Sequence, residues 1–160
     1  MKVLACTLAA GLAGIAATGP AAAFSFAPTK TSFFANGSGF LTSADAQTTI
    51  QCNESVKGHT TKRGKAFIDS LVFSGADSAC ANTAATGLPW RVKATGPGAG
   101  KILNAGFTGA VLGSCGPATF PITVSSAGVW AFSATLPPGT PPACFFSGSL
   151  PTSPPIKVVP

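Results

Sequence analysis

Glycine and proline punctuate most of this chain every few residues, which leaves little room for long helices. There are 19 Gly and 14 Pro, and no stretch between them holds a 3.6-residue apolar period with capping residues at its ends. Each Pro also removes a backbone donor and fixes its own φ. What remains are short runs with a period of two. Over 48–56, Ile50, Cys52 and Val56 alternate with Thr49, Gln51, Asn53 and Ser55, the pattern of a half-buried strand. Over 66–73 both faces are apolar, with Phe67, Leu71 and Phe73 on one and Ile68 and Val72 on the other, which suits a central strand. Trp90, Val92 and Ala94 alternate with Arg91, Lys93 and Thr95, and later Trp130, Phe132, Ala134 and Leu136 point one way. About eight short antiparallel strands follow, and the expected fold is an all-β sandwich or jelly-roll-like barrel. Asn36-Gly37 and Cys115-Gly116-Pro117 read as turns, and 151–160 as a proline-rich extended tail.

The first residues have a different character. Lys2 precedes an apolar run of small residues, Gly19-Pro20 breaks it, and Ala21-Ala22-Ala23 supplies a small-residue cleavage site. Residues 1–23 therefore read as a secretory signal peptide and 24–160 as one β domain. The apolar run is too short for a membrane span, and no second one follows. Four of the five cysteines lie beyond the leader: Cys52, Cys80, Cys115 and Cys144. An even number in an exported chain reads as a disulfide framework. If the strands flanking 57–65 form a hairpin, Cys52 and Cys80 come together. The same reasoning pairs Cys115 with Cys144, while the spacings leave the other two connectivities open.

Gly87-Leu88-Pro89-Trp90 lies between the two cysteine pairs. Gly87 permits a turn conformation, Pro89 opens a strand and Trp90 begins an inward-facing set, so the motif reads as structural.

Places for chemistry are few. The loop at 57–65 concentrates Lys57, His59, Lys62, Arg63 and Lys65 and makes a candidate contact for an anionic glycan or lipopolysaccharide. No aromatic is interleaved there, so stacking on nucleic-acid bases is not suggested. His59 lacks an evident carboxylate partner, and Glu54, Asp69 and Asp77 read as solvent or turn residues. The single histidine and the absence of a CxxC pair speak against a zinc site. The Gly-rich run 96–100 lacks the Gly-Lys-Ser/Thr ending of a phosphate loop. No catalytic residue, metal or cofactor is assigned.

The ordered motifs carry a resemblance. Thr49-Ile50-Gln51-Cys52 is followed by Phe73-Ser74-Gly75, then Ala85-Thr86-Gly87-Leu88-Pro89-Trp90, then Gly113-Ser114-Cys115-Gly116-Pro117. Cys144-Phe145-Phe146-Ser147-Gly148-Ser149-Leu150 then runs into Ser153-Pro154-Pro155-Ile156. Over nearly all of 24–160 the chain resembles the small exported bacterial proteins of the PraB-type alkane oxidation protein activator family. The resemblance implies an extracellular accessory factor, not itself an enzyme, that helps cells use insoluble alkanes. Its expected partners are hydrophobic surfaces, like subunits or anionic polysaccharide. The alternatives are a structural subunit of a fibre or biofilm matrix, with the extended ends as its signature, and a polyanion binder acting through 57–65.

Overall fold

The computed structural model describes residues 23–43, 47–137 and 144–160, so the expected leader lies almost wholly outside the described residues. The strands are β1 (Ser25–Ala27), β2 (Ser32–Thr42), β3 (Thr49–Thr60), β4 (Ala66–Ser74), β5 (Thr83–Thr86), β6 (Trp90–Gly96), β7 (Ala99–Gly109), β8 (Gly113–Val124), β9 (Val129–Leu136), β10 (Cys144–Ser153) and β11 (Lys157–Val159). One helical turn, α1 (Ser78–Ala81), follows β4.

From β2 to β10 each stave lies antiparallel beside the next, and β10 returns to pair with β2. The sheet closes into an eight-stranded barrel with one extra strand. This is an up-and-down meander rather than the expected sandwich or jelly roll. The physical reason lies in the connections: consecutive period-2 strands joined by short turns pair locally, and the first and last strands then close the ring.

One stave is shared by β5 and β6. Both lie between β4 and β7. Thr86 faces Gly106 and Arg91 faces Leu103, so five steps along one strand answer three along the other. Gly87-Leu88-Pro89 thus forms a two-residue bulge within a single stave. Gly87 has φ +72°, as a bulge of this kind requires. Trp90 is buried, and its Nε1 donates to the Thr86 carbonyl at 2.7 Å, tying the two halves of the stave across the bulge.

Alternation drives the core inward. Phe73, Phe107, Phe120, Phe132 and Phe146 meet inside the barrel, with Phe132 and Phe146 centroids 4.5 Å apart and Phe107 and Phe146 5.5 Å apart. At one end, α1 hangs from β3 by the Cys52–Cys80 disulfide, and Asp77 caps it by accepting from the Ala79 amide at 2.8 Å. At the same end Cys115 of β8 is bonded to Cys144 of β10, spanning β9. Each bridge closes a loop of close to thirty residues, worth roughly 3–4 kcal/mol in the chain-entropy account.

A two-stranded ribbon of β1 and β11 closes the other end. It delivers Phe26 and Ile156, both fully buried. Trp130 Nε1 donates to the Ile156 carbonyl at 3.1 Å, and the Phe26 ring lies 5.5 Å from the Trp130 ring. The Thr152 hydroxyl donates to the Gly128 carbonyl and accepts from the Ile156 amide.

Several local expectations are corrected. Asn36-Gly37 is not a turn: both residues sit within β2, facing Ser55 and Glu54, because the strand continues through them with inward Phe33, Ala35, Gly39 and Leu41 on either side. Cys115-Gly116-Pro117 lies inside β8 rather than at a turn. The basic segment 57–65 is not all loop, since β3 runs on to Thr60 and only 61–65 turn. β10 runs on to Ser153, into the expected tail at 151–160, and Lys157–Val159 of that tail forms β11.

Candidate functional site

Three features stand apart from ordinary barrel packing: one wall without charge, a cationic groove, and an acid sealed in the core.

The strands β8, β9, β10 and β2 are consecutive around the ring, and none carries an Asp, Glu, Lys, Arg or His. Their outward positions are filled by Ser, Thr, Pro and Ala, interrupted by large apolar side chains. Phe34 is 54% exposed, Phe40 47% and Phe145 36%. Phe40 faces Ser147 and Phe145 faces Thr42, so the two rings stand on diagonal positions of neighbouring strands. The β8–β9 ladder is short, from Ile122–Phe132 to Val124–Trp130. Beside it lies a shallow, mainly apolar groove of about 340 Å³ lined by Pro121, Ile122, Thr123, Ala131, Phe132 and Ser133. Little polar solvation is lost when such a surface leaves water, since it holds no ionised group and few long polar side chains.

The cations gather elsewhere on the ring. Arg63 and Lys65 of the β3–β4 turn and Arg91 and Lys93 of β6 line one groove with Phe24. Lys93 faces Lys101 across the β6–β7 ladder. Of the residues expected to form an anion-binding loop, Arg63 and Lys65 thus join a common site. Lys62 is exposed at the turn, and Lys57 points outward from β3 toward Ser70. His59 corrects its expectation. Its Nδ1 lies 2.8 Å from Asp69 Oδ2 and its ring stacks on Phe67 at 5.2 Å. The sequence hid that carboxylate because Asp69 is the surplus residue of a bulge where Lys57 faces Ser70 and Gly58 faces Ile68.

Glu54 is the third feature and the second correction, because it is neither a solvent nor a turn residue. It continues the inward set of Ile50, Cys52 and Val56, and it is 1% exposed. Neither carboxyl oxygen has a hydrogen-bond partner among the described residues. Burial pushes its pKa up from 4.5 to about 8, so the group is mainly a neutral acid at pH 7. Room for it comes from glycines on the next two staves. A Cβ on Gly39 would collide with Glu54 Oε1, and one on Gly148 would sit 3.0 Å from Oε2 and 2.7 Å from the Phe132 ring. No group of three or more His, Cys, Asp or Glu side chains able to hold a metal occurs among the described residues.

Sequence reasoning missed Arg91 and Lys93 as members of the groove, and it missed the uncharged wall. A signal for the wall was present: from 102 to 156 the chain contains no Asp, Glu, Lys, Arg or His. The family model for alkane oxidation protein activators that are PraA/PraB-like matches residues 1–160, the whole chain. The chain belongs to this PraA/PraB-like family. No curated protein and no solved structure matches it. The resemblance carried by the ordered motifs is thereby shown, and the PraA/PraB-like chain is placed by its family's description with the activation of alkane oxidation. No helix among the described residues is long and apolar enough to cross a membrane.

Proposed function

We propose that this PraA/PraB-like chain is an exported, non-enzymatic accessory protein that adsorbs to insoluble alkane and so promotes its use by the cell. The supporting observation is the division of the barrel surface: four consecutive staves without charge, bearing Phe34, Phe40 and Phe145, stand apart from the staves that carry the cations. The mechanism is physical. The uncharged wall enters the oil surface, driven by the apolar area it removes from water at roughly 25 cal/mol per Å². The cationic side stays hydrated and fixes the orientation. The barrel interior already holds its own phenylalanines, so the alkane is met on the outer wall. An expected leader at 1–23 and two disulfides fit an oxidising, extracytoplasmic setting.

The test is interfacial tension and hexadecane emulsification with purified protein, compared with a protein of similar size and charge. Lowered tension and stable droplets are expected, and both effects should weaken in a Phe40→Ser/Phe145→Ser variant of unchanged thermal midpoint. Equal behaviour of the protein and the control would overturn the proposal. The two extended ends that suggested a fibre subunit pair with each other in β1 and β11, so that signature is used within the chain.

A further inference from the structure

The groove at Arg63, Lys65, Arg91 and Lys93 is separate from the uncharged wall and calls for its own occupant. Three segments build it. The β3–β4 turn brings Arg63 and Lys65, the outward positions of β6 bring Arg91 and Lys93, and the start of the domain brings Phe24. The Phe26 amide donates to the Gly64 carbonyl at 2.8 Å, which ties the start of the domain to the turn. Neither Glu54, sealed in the core, nor Asp69, engaged by His59, nor Asp77, capping α1, lines the groove.

Phe24 is also the residue that the expected cleavage after Ala23 would make the new N-terminus. An α-ammonium, with an ordinary pKa of roughly 8, would then arise on a residue that already lines the groove.

We propose that leader removal completes an anion site, made of the Phe24 α-ammonium with Arg63, Lys65, Arg91 and Lys93, whose occupant is an acidic polysaccharide. The spacing favours a chain of separate charges over one compact phosphate. Arg91 and Lys93 are two residues apart on one face of a strand, about 7 Å, and Lys101 continues the row across the β6–β7 ladder. Repeated single carboxylates along a sugar chain meet such a row one at a time, and the arginines can grip them with two parallel hydrogen bonds. Phe24 offers one apolar face for a pyranose ring. A single aromatic does not make the series of stacking platforms that a nucleic acid uses. A lipid surface would want apolar side chains beside the cations, but Phe34, Phe40 and Phe145 stand on β2 and β10, staves that do not border the groove. The proposal does not depend on oil adsorption, which uses the other wall.

The probe is polygalacturonate, with phosphatidylglycerol vesicles and single-stranded DNA as comparison ligands, at several salt concentrations. Five forms of the protein are needed: the processed form beginning at Phe24, the same form acetylated at its N-terminus, Arg91→Ala/Lys93→Ala, Lys62→Ala/Lys157→Ala as a control of equal charge, and Arg91→Lys. The processed form should bind polygalacturonate in a salt-sensitive way. Affinity should fall at least tenfold in Arg91→Ala/Lys93→Ala, several-fold on acetylation, and less than twofold in the control. An Arg91→Lys variant, which keeps the charge but gives up the two parallel hydrogen bonds, should lose less affinity than Arg91→Ala/Lys93→Ala at an unchanged thermal midpoint, which separates lost charge from lost folding. Equal losses in the two alanine pairs would show diffuse attraction and overturn the site. Unchanged affinity on acetylation would overturn the part assigned to processing. Tighter binding to vesicles or DNA than to polygalacturonate would overturn the polysaccharide as occupant.

Discussion

Glu54→Gln should abolish most of the alkaline instability of this barrel. The unfolded chain holds the Glu54 proton with the ordinary pKa of 4.5, and the folded chain holds it up to about 8. A folded-state pKa raised above the unfolded one favours folding while the group is protonated. That contribution is complete below pH 4.5 and is lost as pH rises toward 8. Each unit of difference is worth about 1.4 kcal/mol, so the whole loss approaches about 5 kcal/mol. It is a large part of the roughly 5–15 kcal/mol that holds a domain together. No countercharge relieves it, since the glycines at 39 and 148 and the Phe132 ring surround the carboxyl. A glutamine side chain in its place would keep the shape and lose the titration. Its amide would also lie without partners, at a cost of about 1–3 kcal/mol. The variant should therefore be no more stable than the parent at pH 4 and more stable by about 3 kcal/mol at pH 9, roughly 10 °C in Tm for a chain of this size. Thermal unfolding from pH 4 to 9 with the disulfides intact reads this directly. The His59–Asp69 pair is present in both proteins, so it cancels in the difference. Two parallel curves, with no crossing between pH 5 and 8, would refute the buried-acid account.

Other consequences follow from the same packing. Trp90→Ala removes a buried ring and the bond across the bulge, and should cost about 3–5 kcal/mol; an unchanged thermal midpoint would show that the stave does not depend on it. Gly39→Ala places a methyl against the Glu54 carboxyl and the Ser147 carbonyl, so it should destabilise by about 1–3 kcal/mol, and partial rescue by Glu54→Ala would identify the clash. Deleting 154–160 removes Ile156 from Trp130 and should shift tryptophan fluorescence to the red as the barrel end opens; an unchanged spectrum would mean that the ribbon does not seal it.

Much of the architecture was legible because strand periodicity and turn chemistry are local. The inward sets around Trp90 and Trp130 and the pairing of Cys52 with Cys80 follow from neighbours within a hairpin. Closure was not legible. It depends on β10 meeting β2, a contact between distant segments that leaves no mark on either strand's alternation. Asn36-Gly37 misled because the dipeptide is equally at home inside a strand, here where a Cβ on Gly37 would collide with the Ser149 carbonyl of the neighbouring stave. Glu54 itself broke the binary rule that charged residues face out, and only its parity with Cys52 and Val56 could have placed it inside. The cationic groove draws on three separated segments, so 57–65 alone could show only part of it.

If the chain adsorbs to oil as proposed, the β10–β2 pairing has a further consequence. Proteins that open at such a surface expose strand edges, and edges from many chains zip into films that do not dissolve. Here the ring of staves closes on itself, two disulfides staple one end, and a ribbon plugs the other. Under that proposal, a molecule built this way would arrive at a droplet, hold and leave intact, as a reusable wetting agent rather than a skin.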